Sequence, residues 1–375
     1  MTVRETEAKS LLRKHKRVDS WFVSRYGMNL YRGCTHNCVY CDGRAEGYYV
    51  EGEFGKDITV KTNAAEILRR ELDPARKRVH LKPGLIIVGG GVGDSYQPLE
   101  EKYQLTRKAL EVIEEFGFPV HMLTKSTLIE RDIDILKRIN KKNRAIVSFS
   151  MSSASDNFSA VLEPGVPPPS RRLETLTRFK KEGIPCGVFL LPVVPLITDK
   201  PAILDESVRK VKEAGADFIV FGAMTLKEGR QKDYFLNAVE NHFPGISDTY
   251  PLIYRPSKYG SPAPEYIESL NTLYGAVLKR YRIPGCVPAR LYRNMLDEND
   301  FIAVMLDQID YLLSLRNQRT PYGYAAYSIS QLDKPLSAMR TEISGIKGVG
   351  KFAHNIIREI LDTGKSSYYE QLLTF

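Results

Sequence analysis

Residues 28–41 read Met28-Asn29-Leu30-Tyr31-Arg32-Gly33-Cys34-Thr35-His36-Asn37-Cys38-Val39-Tyr40-Cys41: a short apolar run that enters a loop holding three cysteines. Three thiols in eight positions can converge on one soft metal centre, and iron-sulfur clusters favour such ligands. Because only three are local, a fourth iron would stay open to a ligand, as catalytic metals keep one position free. Zinc on Cys34, Cys38, Cys41 and His36 is the competing reading, but structural zinc sites usually pair two separate ligand units, and no second unit follows. Five cysteines, an odd number, argue against a disulfide framework and for a reducing compartment.

Outward from this loop, apolar runs recur at Leu85–Val88, Val120–Leu123, Ala145–Phe149, Gly187–Val194 and Phe218–Phe221. Helical patterns fall between them, at Ala64–Leu72, Leu99–Phe116, Leu128–Ile139, Arg171–Lys181 and Ile203–Ala214. Six runs separated by helices predict parallel strands joined by crossovers, which makes the class α/β and the architecture a partial (β/α)6 TIM-type barrel. Reactive groups in such barrels gather at the C-terminal ends of the strands. The cysteine loop occupies one of those ends.

The rhythm divides the chain into a basic N-terminal segment (1–26), the barrel (27–226), a helical and irregular extension covering it (227–320) and a C-terminal helical module (321–375). No stretch approaches the roughly 18 apolar residues of a membrane span. The N-terminus lacks the order of a secretory signal, so a cytoplasmic protein is expected. A net charge of +9 points toward a polyanionic partner.

The Cys-x3-Cys-x2-Cys spacing, with Tyr40 just before the last cysteine, resembles the motif of radical S-adenosylmethionine (SAM) enzymes. The resemblance implies a [4Fe-4S] cluster on Cys34, Cys38 and Cys41, SAM chelated to the open iron, and reductive cleavage to a 5′-deoxyadenosyl radical. It also implies an electron donor such as flavodoxin or ferredoxin. Gly89-Gly90-Gly91-Val92-Gly93-Asp94, Leu123-Thr124-Lys125-Ser126 and Leu162-Glu163-Pro164-Gly165 narrow the likeness, over roughly residues 20–300, to spore photoproduct lyase-like or DNA repair photolyase-like proteins.

In that family the glycine loop approaches the methionine amino group, which makes Gly90 and Gly91 cofactor-binding candidates. Asp94 stands where the usual glycine-glycine-glutamate is missing. By the same resemblance Lys125 pairs with the SAM carboxylate. Ser148 and Ser150 alternate with Phe149, so both hydroxyls face one side, where the family contacts the SAM ribose or carboxylate. Glu163 and Arg171 are further cofactor candidates. Cys286, in a proline-glycine loop, and Tyr96 are the candidate hydrogen-atom donors.

Near the C-terminus, Gly345 and Gly350-Lys351 mimic a P-loop, but Phe352 stands where Ser or Thr is required and no strand precedes it. The better match is a helix-hairpin-helix turning at Gly348-Val349-Gly350, similar to the N-terminal DNA-binding domain of family X DNA polymerases. Backbone N–H groups there can hold phosphate, with Lys347 and Lys351 adding charge. The expectation is a radical SAM enzyme that repairs or modifies a base, on DNA more readily than RNA. The alternatives are a glycosylase-like protein with a structural cluster and a radical SAM enzyme on another substrate class.

Overall fold

The computed structural model describes residues 1–48, 52–76 and 80–374. Among these described residues, ten strands form two sheets. β1 (Thr2–Thr6), β4 (Tyr31–Arg32) and β5 (Asp57–Lys61) make a small sheet ordered β1-β5-β4. The others are β2 (Arg13–Asp19), β3 (Ser24–Met28), β6 (Leu85–Val88), β7 (Val120–Thr124), β8 (Ala145–Met151), β9 (Cys186–Val193) and β10 (Phe218–Ala223). They curl into a seven-stranded half-barrel ordered β10-β9-β8-β7-β6-β3-β2.

The six strands from β3 to β10 pair in parallel, and β2 adds antiparallel to β3. A parallel strand buried on both faces needs apolar residues in succession. The four side chains of Leu85–Val88 are all buried, and so are all seven of β8. Each large aliphatic or aromatic group so buried contributes about 1.5–3 kcal/mol.

Helices fill the crossovers: α1 (Ala64–Leu72), α2 (Glu100–Tyr103), α3 (Leu105–Glu115), α4 (Ile133–Lys142), α5 (Asp156–Leu162), α6 (Pro169–Lys181) and α7 (Pro201–Glu213). The pattern at Leu99–Phe116 is two helices, because Gln104 adopts a left-handed φ of 52° between them. The pattern at Leu128–Ile139 opens as a 3-10 turn, Thr127–Asp132, before α4.

The first barrel strand departs from the run at Met28–Tyr31. It is Ser24–Met28, and Tyr31–Arg32 belongs to the other sheet. Polar Ser24 and charged Arg25 hide this strand from a hydrophobic pattern, yet both are buried, with Arg25 facing Asp300. The basic N-terminal segment likewise contains two strands, β1 and β2.

Beyond β10 the chain is helical: α8 (Arg230–His242), α9 (Tyr250–Ile253), α10 (Pro264–Tyr281), α11 (Glu298–Ser314), α12 (Tyr322–Ser330), α13 (Lys351–Thr363) and α14 (Ser367–Thr374). Helix α11 packs on β2 and on α12, α13 and α14. Apolar residues of the C-terminal helices, Ile343, Val349 and Ile357 among them, join the same core as the barrel. No helix among the described residues is long and apolar enough to cross a membrane.

Candidate active site

The cysteine loop leaves β4 and ends at a 3-10 turn, Asp42–Arg44. Its path depends on backbone that few residues adopt. Gly33 has φ +81°, and a Cβ there would stand 2.6 Å from the Asp57 carbonyl oxygen. The loop is tied to the segment after β8, where Val39 N–H donates to Leu162 O (2.9 Å) and Gly165 N–H to His36 O (3.1 Å).

Cys34 and Cys38 are buried and Cys41 is half-buried, and none is in a disulfide. All three line one cavity of about 110 Å³, together with Gly91, Asp94, Lys125 and Ser150. Burial pushes each thiol upward, Cys38 to about 12 even though the Lys125 charge pulls the other way. Thiolates are what a metal binds, so a cationic centre is needed to stabilise them here. Three soft thiols facing one cavity fit a [4Fe-4S] cluster with one open iron.

Opposite the thiols stands a charged wall. Lys125, at the end of β7, donates from Nζ to Ser150 Oγ (3.0 Å) and Glu163 Oε1 (3.2 Å), 5.5 Å from the Tyr40 ring centroid. Tyr40 donates its hydroxyl proton to the same Glu163 oxygen. The other Glu163 oxygen accepts from Ser159 Oγ (3.1 Å) and from Arg172. Burial alone would raise this carboxyl, but the Arg172 and Lys125 charges outweigh it and hold the group down to about 2. The carboxylate is therefore a fixed anion that orients Lys125.

Arg172 has no solvent exposure and spends its remaining N–H groups on Pro167 O (2.8 Å), Ser150 O (2.7 Å) and Ser159 Oγ (2.9 Å). The neighbouring candidate, Arg171, is exposed and pairs with Glu174 at 2.6 Å, away from the cavity. Sequence reasoning missed Arg172. The signal was its phase, since it lies four and seven residues before Leu176 and Phe179 on the buried face of α6.

Asp94 uses its carboxylate as a latch. Tyr96 N–H (2.8 Å), Thr124 Oγ1 (2.7 Å) and Lys125 N–H (2.7 Å) all donate to it, and His36 Nδ1 lies 3.4 Å away. This joins the glycine loop to the end of β7. Gly89, at φ +88°, abuts the Leu123 carbonyl so closely that no side chain fits. Gly91 lines the cysteine cavity, whereas Gly90 faces a separate, larger one.

Ser148 and Ser150 divide. Ser150 stays with Lys125, while Ser148 Oγ lies 2.8 Å from His121 Nε2. His121 Nδ1 is 2.8 Å from Phe22 O and must donate to that carbonyl, so Nε2 accepts from Ser148. Burial keeps His121 neutral, down to about 4. This pair belongs to the barrel floor. Tyr96 is fully buried and donates to Asp132 (3.1 Å). Cys286 is buried 3.7 Å from the Tyr369 hydroxyl of α14. Neither lines the cysteine cavity.

At the C-terminus, Gly348 turns at φ +86° against the Tyr324 ring, and Gly350 caps α13. Lys347 and Lys351 are exposed, with Lys347 Nζ 5.7 Å from the Tyr324 centroid. The arm before the turn is a single 3-10 turn, Ile343–Gly345, rather than a full helix.

Residues 28–205 match the family model "Radical SAM superfamily". An uncharacterized protein of Mycobacterium tuberculosis is 29% identical over 289 residues, covering 76% of this chain and 82% of the relative. The "Radical SAM Nalpha-GlyT isomerase" of Pseudomonas phage M6 is 25% identical over 164 residues, covering 43% of this chain and 32% of that one. Among solved structures, a spore photoproduct lyase complexed with dinucleoside spore photoproduct superposes with a TM-score of 0.55 at 17% identity, over 76% of this chain and 81% of the other. A mutant of that enzyme with bound AdoMet and the same dinucleoside gives 0.53 at 18%, with the same coverage. Residues 28–205 therefore match the radical SAM superfamily, which implies a [4Fe-4S] cluster and S-adenosylmethionine as the cofactors.

Proposed function

We propose that this chain is a radical SAM enzyme acting on a base of a nucleic acid, either repairing a lesion in the manner of a photoproduct lyase or modifying the base. The observation that carries the reading is that three cysteine thiols line one cavity with Lys125 and Ser150, and that Glu163 holds Lys125 there. When bound, the reduced cluster and SAM supply a 5′-deoxyadenosyl radical.

The residues of the chain do the rest. Cys34, Cys38 and Cys41 hold the cluster. Lys125, oriented by Glu163 and Tyr40, offers its charge to the SAM carboxylate. Gly91 leaves backbone open to the methionine amino group, and Ser150 offers a hydroxyl beside it. Glu163 stays ionised and keeps the Lys125 ammonium in place.

The substrate class rests on the +9 charge, on the exposed Lys347 and Lys351 around the Gly348–Gly350 turn, and on the dinucleoside bound by the spore photoproduct lyase. In this reading the C-terminal turn and the start of α13 hold phosphate through backbone N–H groups. A base inside a duplex must be flipped or presented on a single strand. DNA is favoured over RNA, and a flavodoxin or ferredoxin supplies the electron.

Anaerobic reconstitution, dithionite reduction and quantification of 5′-deoxyadenosine from SAM test this reading. Wild type is expected to form it and Cys38→Ala to form none, with stimulation by DNA or RNA. No product from wild type overturns the radical chemistry, and stimulation by neither polymer overturns the substrate class.

A further inference from the structure

The basic run Arg13-Lys14-His15-Lys16-Arg17 is not used by the cluster site. It forms β2, the last strand of the half-barrel, whose outer edge pairs with no strand among the described residues. Pairing with β3 shifts register between Lys14 and Asp19, where five steps of β2 lie against two of β3, from Tyr26 to Ser24. The strand therefore bows out from the sheet.

A cavity of about 900 Å³ lies against this bow. Its charged side consists of Arg13, Lys14, Lys16, Arg17 and Lys61. Trp21 lines it just beyond β2, and Gly91 lines it at the glycine loop. Gly91 also lines the cysteine cavity, so the two spaces meet at the glycine loop.

The cations are largely uncommitted. Arg17 is 3.2 Å from Asp307, and Lys61 Nζ donates to Asn29 O (2.6 Å). Arg13, Lys14 and Lys16 are exposed and have no ion pair or side-chain hydrogen bond among the described residues. Asp19, the one carboxylate among the described residues that line the cavity, is engaged by the turn, accepting from the Trp21 and Phe22 N–H groups at 2.9 Å each. An uncompensated row of positive charge attracts a polyanion. Trp21, the only tryptophan of the chain, is 36% exposed and rests on Tyr311 at 5.6 Å between centroids. A supported, half-open indole is a stacking platform for a base.

We propose that β2 and its cavity bind a single-stranded stretch of nucleic acid, with phosphates along Arg13, Lys14 and Lys16 and a base on Trp21. The strand is thereby led to the glycine loop and the radical site. The occupant is a single strand because stacking on Trp21 needs an unpaired base face. The inference rests on the nucleic-acid reading above and assigns the entry path to that site.

The test is a titration of the reconstituted holoenzyme with a short single-stranded oligodeoxynucleotide, following Trp21 emission and the anisotropy of a labelled strand. Saturable quenching is expected. The Arg13→Gln/Lys14→Gln/Lys16→Gln variant is expected to weaken binding at least tenfold at low salt. At about 0.7 per phosphate, the slope of log affinity against log salt should flatten by about 2. A Lys14→Arg/Lys16→Arg variant keeps the charge and is expected to keep both, which separates lost contacts from misfolding. Unchanged affinity and slope in the glutamine variant, or polyglutamate competing as well as the oligonucleotide, overturns the proposal. Formation of 5′-deoxyadenosine by wild type without substrate reports on the radical reading independently.

Discussion

Arg172 and Glu163 form an ion pair in which neither side chain has any exposure to solvent. One carboxylate thereby links helix α6 to Lys125 and Tyr40 at the cavity wall. Breaking such a pair by removing one partner leaves an uncompensated buried charge, at a cost of about 3–5 kcal/mol. Arg172→Met should lose about that much stability in urea unfolding, while the double variant with Glu163→Gln should recover a large part of it. Equal losses in the single and double variants would show that the pair does not act as a unit.

Iron content should sort the five cysteines. Cys34→Ala, Cys38→Ala and Cys41→Ala should each lose the cluster on reconstitution, measured as bound iron and sulfide. Cys186→Ala and Cys286→Ala should retain it, because Cys186 is buried at the start of β9 and Cys286 beside α14.

Lys125→Met removes the ammonium that Glu163 and Ser150 hold in place. Loss of one charge-assisted hydrogen bond is worth about 1.5–3 kcal/mol, roughly a 10- to 100-fold rise in the Kd for SAM. Equilibrium binding of SAM to the reconstituted variant measures it, and a Kd within twofold of wild type would remove Lys125 from the cofactor site.

His121 sets a pH dependence. Its folded value of about 4 lies below the ordinary 6.5 because burial penalises the imidazolium. The unfolded chain thus binds the proton more tightly, so this contribution is complete above pH 6.5 and is lost as pH falls toward 4. Between pH 7 and 4.5 the loss is about 2–3 kcal/mol. The difference in unfolding free energy between wild type and His121→Gln should shrink by that amount over the same interval.

The C-terminal turn predicts a salt effect of its own. At about 0.9 per duplex phosphate contact, Lys347→Gln/Lys351→Gln should flatten the slope of log affinity against log salt for duplex DNA by about 2. Fluorescence anisotropy at several salt concentrations measures it, and an unchanged slope would separate the turn from phosphate binding.

What the chain alone determined is what depends on neighbours in sequence. Cys34, Cys38 and Cys41 are local enough for spacing to reveal a cluster loop. The run Leu85–Val88 is apolar throughout because a parallel strand is covered on both faces. Local periodicity therefore carried the half-barrel and five of its six parallel strands, and the resemblance of the cysteine motif carried the cofactors.

Only the tertiary structure decided which polar groups meet. Arg171 and Arg172 are indistinguishable as residue types, and packing of α6 sends one to solvent and the other to Glu163. Ser148 and Ser150 share an alternation, yet His121 takes the first and Lys125 the second. Strand β2 contains almost no apolar residues, so no hydrophobic pattern marks it, and it exists because β3 offers an edge for its backbone. Pairings between distant elements depend on which surfaces the fold brings within hydrogen-bond reach, and one-dimensional spacing does not encode that distance.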